Sequence, residues 1–370
     1  MYVWPNNQLL DLLNIEQPII QAPMAGAQDA QLAIAVAQGG GLGSIPCAML
    51  SPEQILTQFH LFKQATPAPV NLNFFCHPDL AHNREQEQQW LARLSSYYIE
   101  AGLDLNTPLP NASRSPFQAV HAELIQTLKP EVVSFHFGLP DASLLDLVKQ
   151  SGALVFSSAT TVQEAVWLKE RGCDLIIAQG YEAGGHRALF LDTRIDTQVG
   201  LMALLPQIVD ATDLPVIAAG GIVDGRGITA AFALGACGAQ LGTAFLFCPE
   251  AKISSLHQQA LSNSTASSTA LTNIFTGKPA RGILNKAMLE LGPISTETPD
   301  FPYAASAIAP LRSAAEHAQS SEFTPLWSGQ AAALGRELPA DQLVRVLAQE
   351  SQGVCKQLGL AGSKYPLEKA

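Results

Sequence analysis

Val216-Ile217-Ala218-Ala219-Gly220-Gly221-Ile222, followed by Asp224-Gly225-Arg226-Gly227 and an alanine-rich run from Ile228 to Leu234, decides the fold. A short apolar strand, a glycine turn and a helix, in that order, make a βα unit whose turn amides can cradle a phosphate. One strand later, Ala239-Gln240-Leu241-Gly242-Thr243-Ala244-Phe245 repeats the pattern, so Gly242 and Thr243 can complete an anion site begun by Gly220 and Gly221. Two successive anion-binding turns late in a chain are the habit of a (β/α)8 barrel. Taken singly, each turn is also explained by geometry alone, since tight βα turns need glycine. Neither carries the GxGxxG fingerprint with an acidic residue some twenty positions on, which excludes the usual dinucleotide site.

Working outward, eight candidate strands appear: Ile19–Pro23, Leu42–Ile45, Val70–Phe75, Val132–Phe137, Ala153–Ser158, Leu175–Ala178, Val216–Ala219 and Ala239–Gly242. Helical patterns lie between them at Ala30–Gln38, Pro52–Lys63, Ala142–Ser151, Val162–Arg171, Val199–Val209 and Gly227–Leu234. That alternation predicts an α/β protein with a parallel sheet, and eight strands close a TIM barrel. An open doubly wound sheet would leave the two late phosphate turns without a common purpose.

The stretch from Cys76 to Pro130 is too long for a plain crossover. Its Glu/Gln-rich Asn83–Leu91 and the following Asn106–Pro116 read as a surface helix and loop that cover one barrel end or a subunit contact. After Pro249 the pattern changes to helical pieces divided by Ser262–Thr269, the 277–282 turn and the proline-rich Pro293–Pro310. The expected organisation is a barrel over 1–250 with an elaborated loop at 76–130, a small helical cap over 251–335, and a 336–370 segment. In that last segment Asp341–Leu358 packs back on the barrel.

Composition narrows the partners. Apolar residues are 47% and charged ones 14% of the 370 residues, which fits elements buried on both faces. A formal net charge of -11 argues against nucleic acid and acidic membranes, which attract surplus Lys and Arg. The six cysteines show no CxxC spacing, and several sit in apolar runs, so free thiols and a cytoplasmic location are expected. Met1-Tyr2-Val3-Trp4-Pro5 lacks the regions of a signal peptide, and no apolar run is long enough to span a bilayer.

The chemistry is expected in Gln179-Gly180-Tyr181-Glu182-Ala183-Gly184-Gly185-His186-Arg187, a glycine turn directly after the strand Leu175–Ala178. Glycine lets backbone approach a ligand, and the single histidine can move a proton near neutral pH. His136 reads equally as a buried strand histidine and as a pocket residue. The remaining histidines are scattered without metal-ligand spacing, so no metal is expected.

Together the motifs resemble the nitronate monooxygenase family, formerly the 2-nitropropane dioxygenases, in its class I group. The resemblance rests on Gln21-Ala22-Pro23-Met24-Ala25-Gly26, Asn73-Phe74-Phe75, Ser134 to Gly138, Gln179 to Arg187, Ala218 to Gly227 and Gln240 to Thr243. Gly277-Lys278-Pro279-Ala280-Arg281-Gly282 and Leu326-Trp327-Ser328-Gly329-Gln330 extend it to about residue 335. It implies an FMN-binding barrel with a helical cap. Pro23, Met24 and Ala25 would lay backbone against the flavin ring, and the Asn73 and Gln179 amides would contact it. Gly184, Gly185, Gly220, Gly221, Gln240, Leu241, Gly242 and Thr243 would complete the FMN site. His186 corresponds to the family's catalytic histidine. Two departures stand near these positions: Ala27-Gln28-Asp29-Ala30 replaces a further glycine and a Thr/Ser-Pro pair, and Ala188 replaces a glycine.

The function so implied is oxidation of alkyl nitronates, propionate 3-nitronate among them, by molecular oxygen to a carbonyl compound and nitrite. The protein would act as a monomer or homodimer, in nitroalkane detoxification or nitrogen scavenging. The alternative is an FMN- and NAD(P)H-dependent enoyl-thioester reductase, which shares the barrel, the GGH turn and the late phosphate turns. A flavin-binding module without turnover is a third expectation, from outside the enzymes.

Overall fold

The computed structural model describes residues 4–110, 114–265 and 267–359. Met1–Val3, residues 111–113 of the expected surface loop, Ala266 of the Ser/Thr cluster, and 360–370 of the last segment lie outside the described residues. The strands are β1 (Ile19–Gln21), β2 (Gly43–Pro46), β3 (Val70–Phe75), β4 (Val132–His136), β5 (Leu154–Ala159), β6 (Leu175–Gln179), β7 (Gly185–His186), β8 (Val216–Ala219), β9 (Gly238–Leu241), β10 (Thr269–Thr272) and β11 (Ala280–Ile283).

All eight expected barrel strands are present, displaced by at most a residue or two at their ends. They form one parallel sheet in the order β1-β9-β8-β6-β5-β4-β3-β2. The sheet closes between β1 and β2 through a parallel bridge at Ile20 and Leu42, where Gln21 N donates to Leu42 O at 3.0 Å and Leu42 N to Ile19 O at 2.9 Å. The architecture is therefore a (β/α)8 barrel.

Strand alternation sorts the apolar side chains into two cores. Leu175 and Ile177 of β6 and Ile217 and Ala219 of β8 share one cluster with Ile20, Phe156 and Cys237, filling the barrel interior. Their neighbours Ile176, Ala178, Val216 and Ala218 join Leu204, Leu205, Ile208 and Phe232 of the helices outside. The helix Gln8–Leu13 supplies Leu9 and Leu13 to the interior cluster and so plugs it. At β9 the same alternation puts Ala239 and Leu241 in the outer core. Gln240 is left on the inner face.

The helix Ala340–Gln357 buries Leu343, Val344, Leu347 and Ala348 against the outer core, beside helices Ala30–Gln38 and Gly225–Ala233. Glycine lets it come close, because a Cβ on Gly225 would stand 2.3 Å from Ser351 N and 2.4 Å from the Glu350 Cβ.

Two sequence expectations need correction. The cap is not purely helical: β10, β11 and β7 form a three-stranded antiparallel sheet that reaches from the cap back to the glycine turn after β6. The Glu/Gln-rich helix is longer than expected, Arg84–Glu100, and its apolar face packs on the cap. Trp90, Leu94 and Tyr98 lie among Ile274, Phe275, Met288 and Leu311, and Tyr98 Oη donates to Ala307 O at 2.6 Å.

Gly225→Ala is expected to destabilise the protein by about 1–3 kcal/mol, because the added methyl cannot be accommodated without displacing the Ala340–Gln357 helix. Thermal unfolding checks this, and an unchanged melting temperature would show that the contact yields freely.

Candidate active site

Parallel barrel strands place their C-terminal ends on one rim, and there the turns after β1, β3, β6, β8 and β9 surround an open cavity. Of the residues singled out from sequence, Pro23, Met24, Ala25, Asn73, His136, Gln179, Gly184, Gly185, His186, Gly220, Gly221, Gln240, Gly242 and Thr243 all line it. Leu241 does not. Its side chain is 1% exposed and lies in the outer core, on the opposite face of β9 from Gln240, so only its backbone is near the site.

The turn after β6 is shaped by carbonyl groups that need donors. Arg187, 0% exposed, donates from Nη1 to Gly180 O at 2.5 Å and from Nη2 to Gln179 O at 2.9 Å. Its Nε and Nη2 also donate to Gln198 Oε1, at 3.0 and 2.9 Å. Arg281, 2% exposed, reaches over from β11 and donates from Nε and Nη2 to Tyr181 O at 3.1 and 3.0 Å. Burial lowers both guanidinium pKa values, that of Arg187 to about 10, which still leaves it charged at neutral pH. Glu182 accepts from Leu201 N with both carboxylate oxygens, at 3.0 and 2.9 Å.

This scaffold fixes His186. As the second residue of β7 it pairs antiparallel with Ala280 of β11, and Arg187 N donates to Pro279 O at 2.8 Å. Its carbonyl accepts from Gln179 Nε2 at 3.0 Å and from His136 Nε2 at 3.1 Å. Gln179 Oε1 in turn accepts from Ala188 N at 2.8 Å. Gln179 thus ties both ends of its amide to the turn, and a second N–H and a second carbonyl lone pair remain at the cavity it lines. Asn73 instead donates to Ser134 O and Oγ at 3.2 and 2.9 Å, with its own carbonyl left facing the cavity region.

The imidazole of His186 sits among rings, 5.4 Å from Phe301, 5.6 Å from Trp327, 6.1 Å from Phe137 and 6.4 Å from Phe75 between centres. Nε2 lies 2.9 Å from Thr276 Oγ1, which is 3.4 Å from the Lys278 carbonyl oxygen. Thr276 therefore fixes the ring through Nε2, whichever of the two groups donates. Burial, followed by the nearby Arg114, His136, Lys278 and His77, pushes His186 well below its usual 6.5. Burial also lowers His136 and His77 to about 4 each. The site histidines are neutral at pH 7.

The departure at Gln28 has a structural answer. Gln28 Oε1 accepts from Gln21 Nε2 at 2.6 Å and from Met24 N at 3.2 Å, while its Nε2 donates to Ser44 O at 2.6 Å. A side chain here does the shaping that glycine and proline would do. It occupies the Met24 amide, and the Ala25 amide remains for a ligand.

Opposite His186 lies the anion side. Gly220 and Gly221 adopt φ of +113° and +68°, conformations that L side chains rarely take. Among the described residues, the amides of Gly221, Gly242 and Thr243 have no acceptor within the protein, and Gln240 Oε1 is buried without a partner. Free amides beside an orphaned carbonyl suit a phosphate-bearing ligand that also offers a donor. Gly184 is pressed against the tail, since a Cβ there would stand 2.5 Å from Gly329 N, which donates to Thr243 Oγ1 at 2.9 Å.

Sequence reasoning missed Arg114, which lines the cavity from the 76–130 elaboration, and Phe301, whose ring packs on His186. Neither stands in a recognisable motif. No cluster of three metal-ligating side chains occurs among the described residues, and none of their helices is long and apolar enough to cross a membrane.

A family model described as nitronate monooxygenase matches residues 6–350. Nitronate monooxygenase from Pseudomonas aeruginosa is 39% identical over 344 residues, covering 92% of this chain and 98% of that protein. The enzyme of the same name from Paraburkholderia phytofirmans is 41% identical over 353 residues, covering 95% and 96%. The solved structure of nitroalkane oxidase from Streptomyces ansochromogenes is similar with a TM-score of 0.86 at 36% identity, covering 95% of this chain and 99% of that one. Sequence and shape agree along the full length of these proteins, and the chain belongs to the nitronate monooxygenase family.

Proposed function

We propose that this protein is an FMN-dependent enzyme that oxidises alkyl nitronates with molecular oxygen, giving a carbonyl compound and nitrite, with propionate 3-nitronate as a substrate. The observation that carries the reading is a clamped, neutral His186 facing the same cavity as the unpaired amides of Gly221, Gly242 and Thr243. Family membership and the likeness to a nitroalkane oxidase support it. Six free cysteines, five of them buried, favour a cytoplasmic location.

The amides of Gly221, Gly242 and Thr243 would hold the FMN phosphate, and the Ala25 amide, Asn73 and Gln240 would meet its ring. When bound, FMN supplies the electron transfer from nitronate and the reduction of oxygen. The chain's own residues govern the proton. The neutral imidazole of His186 takes the proton from the carbon bearing the nitro group of a neutral nitroalkane, and the C–H electron pair passes to the nitro oxygens as the nitronate forms. A preformed nitronate does not need this step. Burial keeps the base unprotonated, and the positive charge of Arg114 and Lys278 around His186 adds to this and favours an anion in the cavity. The rings of Phe75, Phe301 and Trp327 surround the imidazole and limit its contact with water.

The direct test is oxygen uptake and nitrite release with propionate 3-nitronate, with NADH and NADPH tried separately for bleaching of the flavin. Uptake with nitrite and no bleaching is expected. Bleaching without nitrite would instead establish an enoyl-thioester reductase. His186→Asn is expected to lower kcat/KM for a neutral nitroalkane by about 10²–10⁴-fold and to affect a preformed nitronate far less. Equal losses on both substrates would remove the base assignment.

Because the base works unprotonated and its pKa lies below 6.5, kcat/KM for a neutral nitroalkane is expected to stay level as pH falls through 6.5. It should decline only in more acid solution. A protonation limb centred at or above 6.5 in the pH–rate profile would contradict this. A Cβ on Gly242 would meet the Ala22 Cβ at 3.5 Å and the Met24 Sδ at 3.7 Å, so a larger side chain fits the fold and intrudes on the cavity. Gly242→Leu is expected to lose FMN absorbance while its far-ultraviolet circular dichroism is unchanged; full retention of FMN would put the phosphate elsewhere.

A further inference from the structure

Glu164 is a carboxylate buried outside the cavity, 1% exposed and absent from the cavity lining. It lies in the first turn of the helix Val162–Glu170, where its N–H donates to Thr161 Oγ1 at 3.1 Å. Four donors converge on its side chain. Thr160 N and Oγ1 donate to Oε2 at 2.7 and 2.8 Å, and Phe190 N and Leu191 N donate to Oε1 at 2.7 and 3.3 Å. One oxygen thus holds the end of β5, and the other holds the chain a few residues beyond His186.

The carboxylate also reaches His186 by a second, longer route. Arg187 is 0% exposed, and among the described residues no carboxylate lies within ion-pair distance of it. A guanidinium can only donate, so the half-buried Gln198 must turn Oε1 toward it, which leaves Nε2 to donate to Thr160 Oγ1 at 3.0 Å. The Thr160 hydroxyl accepts that bond and gives its own proton to Glu164. Every bond from Arg187 to Glu164 therefore runs in one direction, and bonds so aligned polarise one another. Burial works against the charge on Arg187, while Glu182 and Glu164 work for it.

We propose that Glu164, acting through Thr160, Gln198 and Arg187, is a positioning residue for the reaction at His186. The carboxylate touches neither cavity nor imidazole; it orients the guanidinium that holds the Gln179 and Gly180 carbonyls, and with them the turn that carries His186. The inference rests on the nitronate reading for the step that suffers when the relay is cut, but not for the hold on the turn.

Thr160→Val tests this with little other disturbance, because the methyl replaces only the hydroxyl. Thr160 N, Phe190 N and Leu191 N keep their bonds to Glu164. The first readout is amide hydrogen exchange over residues 179–188, where Tyr181 N donates to Val199 O at 2.9 Å and Arg187 N to Pro279 O at 2.8 Å. Exchange there is expected to quicken about tenfold in Thr160→Val and to return to the wild-type rate in Thr160→Ser. Gln198→Met should match Thr160→Val, and the double variant should be no worse than either, since both cut one relay. The second readout is kcat/KM, expected to fall about tenfold for a neutral nitroalkane and less for a preformed nitronate. Unchanged exchange in Thr160→Val, no rescue by Thr160→Ser, or additive losses in the double variant would each overturn the proposal. So would equal losses on both substrates where His186→Asn still separates them. Faster exchange in the variants with no nitrite released even by the wild type would leave the relay standing and remove the nitronate oxidation.

Discussion

Everything at this site depends on two buried guanidiniums that satisfy the carbonyls of a turn leaving a barrel strand. When β6 ends, Gln179, Gly180 and Tyr181 no longer have a strand partner for every carbonyl, and water is not at hand. Arg187 and Arg281 supply the donors from opposite directions, one from the next turn of chain and one from β11. Because Arg187 is joined covalently to His186, the anchor and the imidazole move as a unit. The Arg187 end of the clamp continues outward through Gln198 and Thr160 to the buried Glu164, so the clamp is tied to the next layer of helices.

The electrostatics follow from that arrangement. Cations are retained around the cavity while its histidines are held neutral, chiefly by burial. An uncharged imidazole in a positive field is a competent base that does not have to release a proton first. The same field is complementary to an anionic product of deprotonation. Acid–base chemistry and anion binding thus share one set of charges rather than competing for it.

The barrel was legible because apolar strands of four to six residues ended in glycine turns, and the helices Ala30–Gln38 and Ala340–Gln357 announced themselves by periodicity. The glycine turns located the cavity rim as well. What escaped were the features built from distant segments. Thr269–Thr272 and Ala280–Ile283 are too short and too polar to read as strands, and Gly185–His186 reads only as a turn. A buried arginine leaves no local signature, since its partners are carbonyls brought by folding. Gln28 looked like a lapse from a family pattern until Gln21, Met24 and Ser44 were seen to converge on it. Leu241 was placed at the cofactor because it lies within a motif, although strand alternation turns it away.

The pairing of β7 with β11 has a consequence for the order in which the molecule is made. The last barrel strand is complete at Leu241, but the residues that hold His186 in place, Ala280 and Arg281 and the Trp327 ring, are synthesised well afterwards. While the chain ends short of residue 280 the GGH turn lacks its strand partner, and the helix Ala340–Gln357 that completes the outer core comes later still. Barrel and turn are therefore finished together by the residues from 280 onward rather than one before the other.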